Sequence, residues 1–152
     1  MMKKQKFKFI KLNELSKKQI FELEEQIETI IADMLDHYQK FFMQNGYILD
    51  MVLERINEAA ALKGSKEHRM RKDQCFEPYY YSFISLAVKD SSGKLVGNED
   101  DGYLIENIHI WHVSKSLFSK KKGYIIDLST FEIKKEVETV IKEFMSILSI
   151  DL

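Results

Sequence analysis

The chain has 152 residues, enough for a single domain that buries its own core without disulfides or metals. Apolar residues make up 45% of it and charged residues 31%, which is typical of a globular protein and excludes a disordered or collagen-like chain. The net charge of −1 gives no general attraction to nucleic acid, and no apolar run reaches membrane-spanning length. We therefore expect neither direct nucleic-acid binding nor a membrane segment.

The cysteine content and the N-terminal residues indicate the compartment. A lone cysteine, Cys75, cannot form an internal disulfide, which favours a reducing environment. The apolar residues near the N-terminus, Phe7 and Phe9, are interrupted by Lys8, so the segment lacks the hydrophobic core of a secretion signal. These features predict a cytoplasmic protein.

The first half of the chain shows mainly helical patterns. A short strand is predicted from Lys6 to Lys11. A capping box formed by Ser16 and Gln19 opens the first helix, and apolar residues then recur at spacings of three and four as far as Phe42. A second helix is predicted from Asp50 to Lys63, and its short connection to the first implies an antiparallel helical hairpin.

Helical periodicity stops at Phe76, and a strand pattern runs from there to Val113. Alternating residues predict strands at Tyr79–Lys89 and Tyr103–Val113, joined through turns at Asp90–Gly93 and Gly97–Gly102. Apolar residues occupy both faces of these strands, so neither face is plainly a solvent face.

The C-terminal region predicts one more strand and one more helix. Residues Tyr124 to Leu128 form a short apolar run, and Ser129 with Glu132 forms a capping box that opens the last helix. The predicted fold class is α+β, with an N-terminal helical hairpin and a C-terminal helix packed on a mainly antiparallel sheet of three to five strands. We expect one domain over residues 1–152, with a helical part at about 13–64, a sheet part at about 76–128 and the C-terminal helix at about 130–148.

Two histidines, His109 and His112, are the first candidates for catalysis. Residues three apart on a regular strand point to opposite faces, so the pair cannot bind one metal ion unless a bulge intervenes. The same alternation places His112 on one face with Glu106. Either histidine with a carboxylate such as Glu106 could supply the acid and base of a small hydrolase or nuclease, although a structural histidine in the sheet is the favoured interpretation.

The turn Asn98-Glu99-Asp100-Asp101 places three carboxylates side by side. Carboxylates attract hard cations, but the turn lacks the spaced ligands of a calcium loop, and no metal or cofactor is predicted. A solvated turn is the default interpretation. The alternative is an acidic surface that attracts a basic protein partner.

Aromatic residues are concentrated around Tyr79 and Tyr81, with Trp111 on the following strand. Such side chains serve both as core residues and as anchors of protein interfaces. The favoured interpretation is that the segment Phe7 to Leu12 of the same chain covers them, and the alternative is a partner protein.

The sequence holds no catalytic or cofactor signature, which favours a binding protein over an enzyme. We expect an inhibitor or immunity-type protein that neutralises a partner toxin or enzyme, such as a basic toxin or a nuclease domain. A self-associating adaptor that uses the long first helix is a further alternative. The expected partner-binding residues are Tyr79, Tyr81, Glu99, Asp100, Asp101, Glu106 and Trp111.

Overall fold

The computed structural model describes residues 6–12, 17–113 and 122–151. The helices are α1 (Lys17–Met43), α2 (Glu58–Leu62) and α3 (Thr130–Ile147), with a 3-10 turn at Lys72–Gln74. The strands are β1 (Phe7–Lys11), β2 (Tyr47–Asn57), β3 (Tyr80–Asp90), β4 (Gly97–Asn98), β5 (Gly102–Tyr103), β6 (Ile105–Val113) and β7 (Lys122–Ile126). None of the described helices is both long and apolar enough to cross a bilayer.

The main sheet has five strands in the order β1-β7-β6-β3-β2, and every neighbouring pair is antiparallel. Strands β4 and β5 form a separate two-stranded hairpin between β3 and β6. The order makes β1 and β2 the two edges of the main sheet. The α+β class, the antiparallel sheet, the N-terminal strand and the C-terminal helix are confirmed.

The predicted second helix, from Asp50 to Lys63, is wrong, and with it the N-terminal helical hairpin. Strand β2 occupies most of that segment and pairs with β3 along its full length, from Tyr47 opposite Asp90 to Asn57 opposite Tyr80. The spacing of its apolar residues is compatible with one face of a helix and also with the alternation of a strand. Pairing with β3 over 11 residues stabilises the strand, and only the short α2 is helical.

Helices α1 and α3 pack together on one face of the sheet, which we call the inner face. The hydroxyl of Tyr38 on α1 donates a hydrogen bond of 2.7 Å to Oε2 of Glu138 on α3. Burial raises the pKa of Tyr38 to about 12, and the Glu138 carboxylate adds to that shift. The apolar stripe of α1 is buried in this layer.

The start of α3 follows the predicted capping box. The amide of Glu132 donates to the hydroxyl of Ser129 at 3.1 Å, and the amide of Ser129 donates to Oε1 of Glu132 at 3.1 Å. Both bonds satisfy amides that a helix start leaves without partners. The corresponding prediction for α1 involves Ser16, which lies outside the described residues.

Gly123 on β7 provides the first testable prediction, because it lies directly against the ring of Trp111. A Cβ built on Gly123 would stand 2.3 Å from Cη2 of Trp111, far inside van der Waals contact. We expect Gly123→Ala to destabilise the fold by about 1–3 kcal/mol, measured by urea unfolding. In the double variant with Trp111→Leu the alanine should cost much less, since the smaller side chain vacates the space. Equal costs in both backgrounds would contradict the packing.

Candidate functional site

A β-bulge in β6 places both histidines on the same face of the sheet. Trp111 pairs with Ser82, but the next pair along joins His109 to Phe83, so Ile110 is an extra residue. The extra residue shifts the alternation of side chains by one. Ile110 and Trp111 are therefore both buried on the inner face, whereas His109 and His112 both point to the opposite face. The expectation that the two histidines occupy opposite faces was wrong for this reason.

Aromatic rings surround the two histidines. The ring of His109 stacks on Tyr81 with centroids 5.2 Å apart, and the ring of His112 stacks on Tyr124 at 4.8 Å. The ring of Phe7 on the edge strand β1 lies 6.2 Å from each imidazole. The cluster thus joins residues from four strands, β1, β7, β6 and β3.

Burial among these rings lowers the pKa of His109 below its ordinary value, and the negative charge of Glu58 opposes that shift. A histidine with a lowered pKa carries no charge at neutral pH. His109 therefore adds no positive charge to the aromatic cluster at pH 7.

The face opposite the two long helices, which we call the outer face, carries many apolar side chains along its whole width. Ile105 on β6 is 45% exposed, Phe9 on β1 is 48% exposed, and Val52 on β2 is 41% exposed. On β2 these apolar residues alternate with Asp50 and Glu54, and Asp50 pairs with Lys89 at 2.9 Å. The number of large exposed apolar residues on this face nevertheless exceeds the scattered exposure that is normal for a protein surface. The apolar, aromatic and histidine side chains of the outer face include Phe7, Phe9, Ile48, Val52, Ile56, Tyr81, Phe83, Ile105, His109, His112 and Tyr124.

The N-terminal strand extends this face more than it covers it. Phe7 touches both histidines, as the predicted covering segment would, yet its own side chain remains 36% exposed. Strand β1 lies in the plane of the sheet beside β7, so it adds Phe7 and Phe9 to the row of aromatic residues. The aromatic row keeps an exposed surface.

The predicted partner-binding residues do not form one surface. Tyr81 lies on the outer face, and Tyr79 lies half-buried in the turn before β3, in the left-handed region with φ of 68°. Trp111 is fully buried, and its Nε1 donates a hydrogen bond of 2.8 Å to the carbonyl of Cys75. Trp111 is therefore a core residue, and its assignment as an exposed anchor was wrong.

The carboxylates of the predicted site are also separated. Glu106 pairs with Leu86 on β3 and points to the inner side of the sheet, so it does not share a face with His112. The charge of Glu58, at the start of α2, is the carboxylate that acts on His109. The predicted group of Glu106, His109 and His112 is thus not brought together.

The acidic tip, which we define as Glu99, Asp100 and Asp101, is exposed at the end of the β4–β5 hairpin. The amide of Asp101 donates to Oδ1 of Asn98 at 2.7 Å, and Nδ2 of Asn98 donates to Oδ2 of Asp101 at 3.3 Å, so both side chains help to close the turn. Across residues 6–12, 17–113 and 122–151, no three His, Cys, Asp or Glu side chains lie close enough to hold a metal ion. The tip is a solvated, negatively charged projection.

No protein-family model, curated protein or solved structure matches this chain. The function therefore has to be argued from the geometry of the molecule. Within the described residues, the outer face and a buried polar cluster stand out by their chemistry.

The buried polar cluster joins α1, β2 and β3 and was not predicted. Glu24 has no exposed surface, and it accepts hydrogen bonds of 2.8 Å from Nε of Arg55 and 2.8 Å from the hydroxyl of Tyr80. Nη2 of Arg55 also donates to Glu28 at 2.9 Å. The sequence signal for this cluster is the place of Glu24 within the apolar stripe, four residues after Ile20. Because Glu24, Arg55 and Tyr80 pair with one another and are shielded from solvent, the cluster is structural.

Cys75 lies next to this cluster and provides a second prediction. Its side chain is buried, and burial together with the negative charge of Glu24 raises the pKa of the thiol to about 11. Since the thiolate is the reactive form, we expect a chromogenic disulfide reagent at pH 8 to modify Cys75 only as fast as the chain unfolds. The rate should rise sharply in urea. Labelling of the native protein at the rate of a free thiol would contradict the burial.

Proposed function

We propose that this chain is a protein-binding domain whose outer face receives a partner. The observation that carries the proposal is the asymmetry of the sheet: the two long helices, α1 and α3, pack on the inner face, whereas the outer face keeps exposed apolar and aromatic side chains. Removing such a surface from water on binding supplies favourable free energy of about 25 cal/mol per Å². Extended apolar surfaces of this kind mark interaction sites.

The outer face has the composition expected at the centre of an interface. Tyr81 and Tyr124 bury large area at a low cost in side-chain entropy and retain a hydroxyl for hydrogen bonding. Ring stacking with His109 and His112 fixes both tyrosines in place before a partner arrives. A surface that is already ordered loses less entropy when it binds.

We further propose that the partner is a toxin or enzyme that this chain neutralises, as an inhibitor or immunity-type protein in the cytoplasm would. Support comes from the acidic tip, which is exposed on a projecting hairpin and can attract a basic partner over a distance. The apolar outer face would then supply the affinity, and the tip would supply the rate of association.

The docking proposal is tested with two matched isoleucine variants. Ile105→Lys places a charge on the outer face, and Ile147→Lys places the same charge on α3, where Ile147 is 66% exposed. With a partner captured from the native host and purified, we expect Ile105→Lys to weaken binding by about 100-fold and Ile147→Lys to leave it unchanged. Equal affinities of both variants and the wild type would contradict docking on this face.

The role of the acidic tip is tested by reversing its charge. The double variant Asp100→Lys/Asp101→Lys should lower the association rate constant several-fold, and more strongly at low salt, because exposed charges are screened as salt rises. The control is Asp33→Lys/Asp36→Lys on α1, which makes the same change in net charge at two exposed positions. Stopped-flow association rates that fall equally in both variants would contradict a specific role for the tip.

A small hydrolase or nuclease is the second candidate function, and the bulge in β6 favours it. Two histidines on one face can act as acid and base on one substrate, and Glu58 provides a carboxylate charge near His109. This candidate predicts cleavage of fluorogenic RNA, DNA or ester substrates that falls at least about 100-fold in both His109→Ala and His112→Ala. If both variants cleaved the substrates as fast as the wild type, a contaminant would account for the activity.

A further inference from the structure

A cleft opens between the β1 edge of the main sheet and the start of α3. Its volume is about 420 Å³, and its apolar wall includes Ile10, Leu23, Ile125 and Leu128. These four side chains come from β1, α1, β7 and the segment before α3, and each of them is half-buried. Clefts of this size that combine an apolar wall with a few charged groups are typical of sites for small molecules.

The register of the strands places the cleft on the inner face of the sheet. Lys8 pairs with Ile125, and Ile125 pairs with Trp111, which is buried on the inner face. Residues that lie opposite each other on neighbouring strands point to the same face, so Lys8 and Ile125 also point inward. Ile10 follows Lys8 by two residues and shares this face. A ligand in the cleft therefore leaves the outer face free for docking.

Two opposite charges line the cleft and do not pair with each other. Lys8 and Asp127 both belong to its lining, and both are exposed. The amide of Asp127 donates to the carbonyl of Lys6 at 2.9 Å, so Asp127 lies diagonal to Lys8, with Cα atoms about 7–8 Å apart. Neither Lys8 nor Asp127 forms an ion pair with a residue that the structure describes. Both charges are thus available to a ligand.

A third charged group of the cleft, Glu132, is already engaged. Its Oε1 accepts a hydrogen bond of 3.1 Å from the amide of Ser129. Hydrogen bonding to Ser129 holds the pKa of Glu132 below its ordinary value, and the charges of Lys135 and Lys6 add to that shift. Because Glu132 caps α3, Asp127 is the carboxylate of the cleft that a ligand can use.

We propose that the cleft binds a free α-amino acid with an apolar side chain, in its zwitterionic form. The carboxylate of the ligand lies against the ammonium group of Lys8, and its ammonium group lies against the carboxylate of Asp127. The side chain of the ligand packs on the apolar wall, where the removal of apolar surface from water supplies free energy. A zwitterion fits better than a single charge, because a simple cation is repelled by Lys8 and a simple anion by Asp127. The site goes beyond the proposed docking function and does not depend on it.

The test is a titration of the ¹⁵N-labelled full chain with L-leucine. We expect the amide signals of Ile10, Asp127 and Leu128 to shift along one saturable curve in the millimolar range, as is usual for a very small ligand in an open cleft.

Three analogues of leucine are matched controls. N-acetyl-leucine lacks the positive charge and leucine amide lacks the negative charge, so each should bind about 5-fold more weakly than leucine. Glycine keeps both charges but has no side chain to bury, and it should bind at least about 10-fold more weakly.

Two variants assign the two ends of the ligand. Lys8→Gln should weaken the binding of leucine about 5-fold without weakening that of leucine amide, which has no carboxylate. Asp127→Asn should weaken leucine to a similar extent without weakening N-acetyl-leucine, which has no ammonium group. Both positions are exposed, so neither change should disturb the fold. The controls Lys94→Gln and Asp33→Asn remove exposed charges outside the cleft and should have no effect.

Three results would overturn the proposal. The first is the absence of a saturable shift at Ile10, Asp127 and Leu128 in excess leucine. The second is binding of either capped analogue as tight as that of leucine, which would mean that the cleft does not recognise a zwitterion. The third is an equal loss of affinity for leucine and both capped analogues in Lys8→Gln and Asp127→Asn.

Discussion

Replacing Glu24 by alanine is expected to destabilise the fold by about 3–5 kcal/mol, as measured by the free energy of unfolding in urea. The carboxylate is fully buried and accepts hydrogen bonds from Arg55 and from the hydroxyl of Tyr80. Removing it leaves the Arg55 guanidinium, whose side chain is only 17% exposed, with Glu28 as its remaining carboxylate partner. A largely buried guanidinium that loses its buried partner and an unsatisfied hydroxyl in the core are both costly.

Two further variants separate the charge from the packing. Glu22→Ala removes a carboxylate that is 58% exposed on the same helix, and it should change stability by no more than about 0.5 kcal/mol. The double variant Glu24→Leu/Arg55→Leu removes both charges, so it should recover much of the loss caused by Glu24→Ala. A loss below about 1 kcal/mol for Glu24→Ala would contradict the buried cluster.

Trp111→Ala is expected to cost about 3–5 kcal/mol, because it removes the largest fully buried side chain and leaves a cavity. It also deprives the carbonyl of Cys75 of its 2.8 Å hydrogen bond from the indole. The measurement is again urea unfolding, with near-ultraviolet circular dichroism to follow the loss of core packing.

The matched comparison for Trp111 is an aromatic residue on the outer face. Tyr81 lies opposite His112, next to the Ser82–Trp111 pair, but it is only half-buried. Tyr81→Ala should therefore cost clearly less stability than Trp111→Ala, while Phe131→Ala, at a side chain that is 64% exposed, should be nearly neutral. Equal losses for Trp111→Ala and Tyr81→Ala would contradict the assignment of the two faces.

The sequence predicts elements well where a local signal and the final environment agree. The capping box of Ser129 and Glu132 opens α3 as predicted, and the alternation around Tyr80 and Ile84 gives β3. The prediction for the β2 segment is wrong because the spacing of Met51, Val52 and Ile56 fits a helix as well as a strand. Only pairing with β3, which is distant in sequence, separates the two possibilities.

The candidate site was harder to predict than the fold, because a single extra residue rearranges it. The bulge at Ile110 contains no glycine or turn residue that would mark it. Its physical cause is visible only in three dimensions, where Ile110 and Trp111 are both drawn into the core and no regular strand can bury two consecutive residues on one face. The common face of His109 and His112 follows from that burial.

The most direct test of the central claim is methyl NMR of the chain with its isolated partner. If the partner docks on the outer face, the methyl signals of Ile48, Val52 and Ile105 should shift on complex formation, since these side chains would become buried. The signal of Ile147, on α3, should stay in place. Shifts confined to Ile147 and other helical methyl groups, with the outer-face signals unchanged, would contradict the proposal.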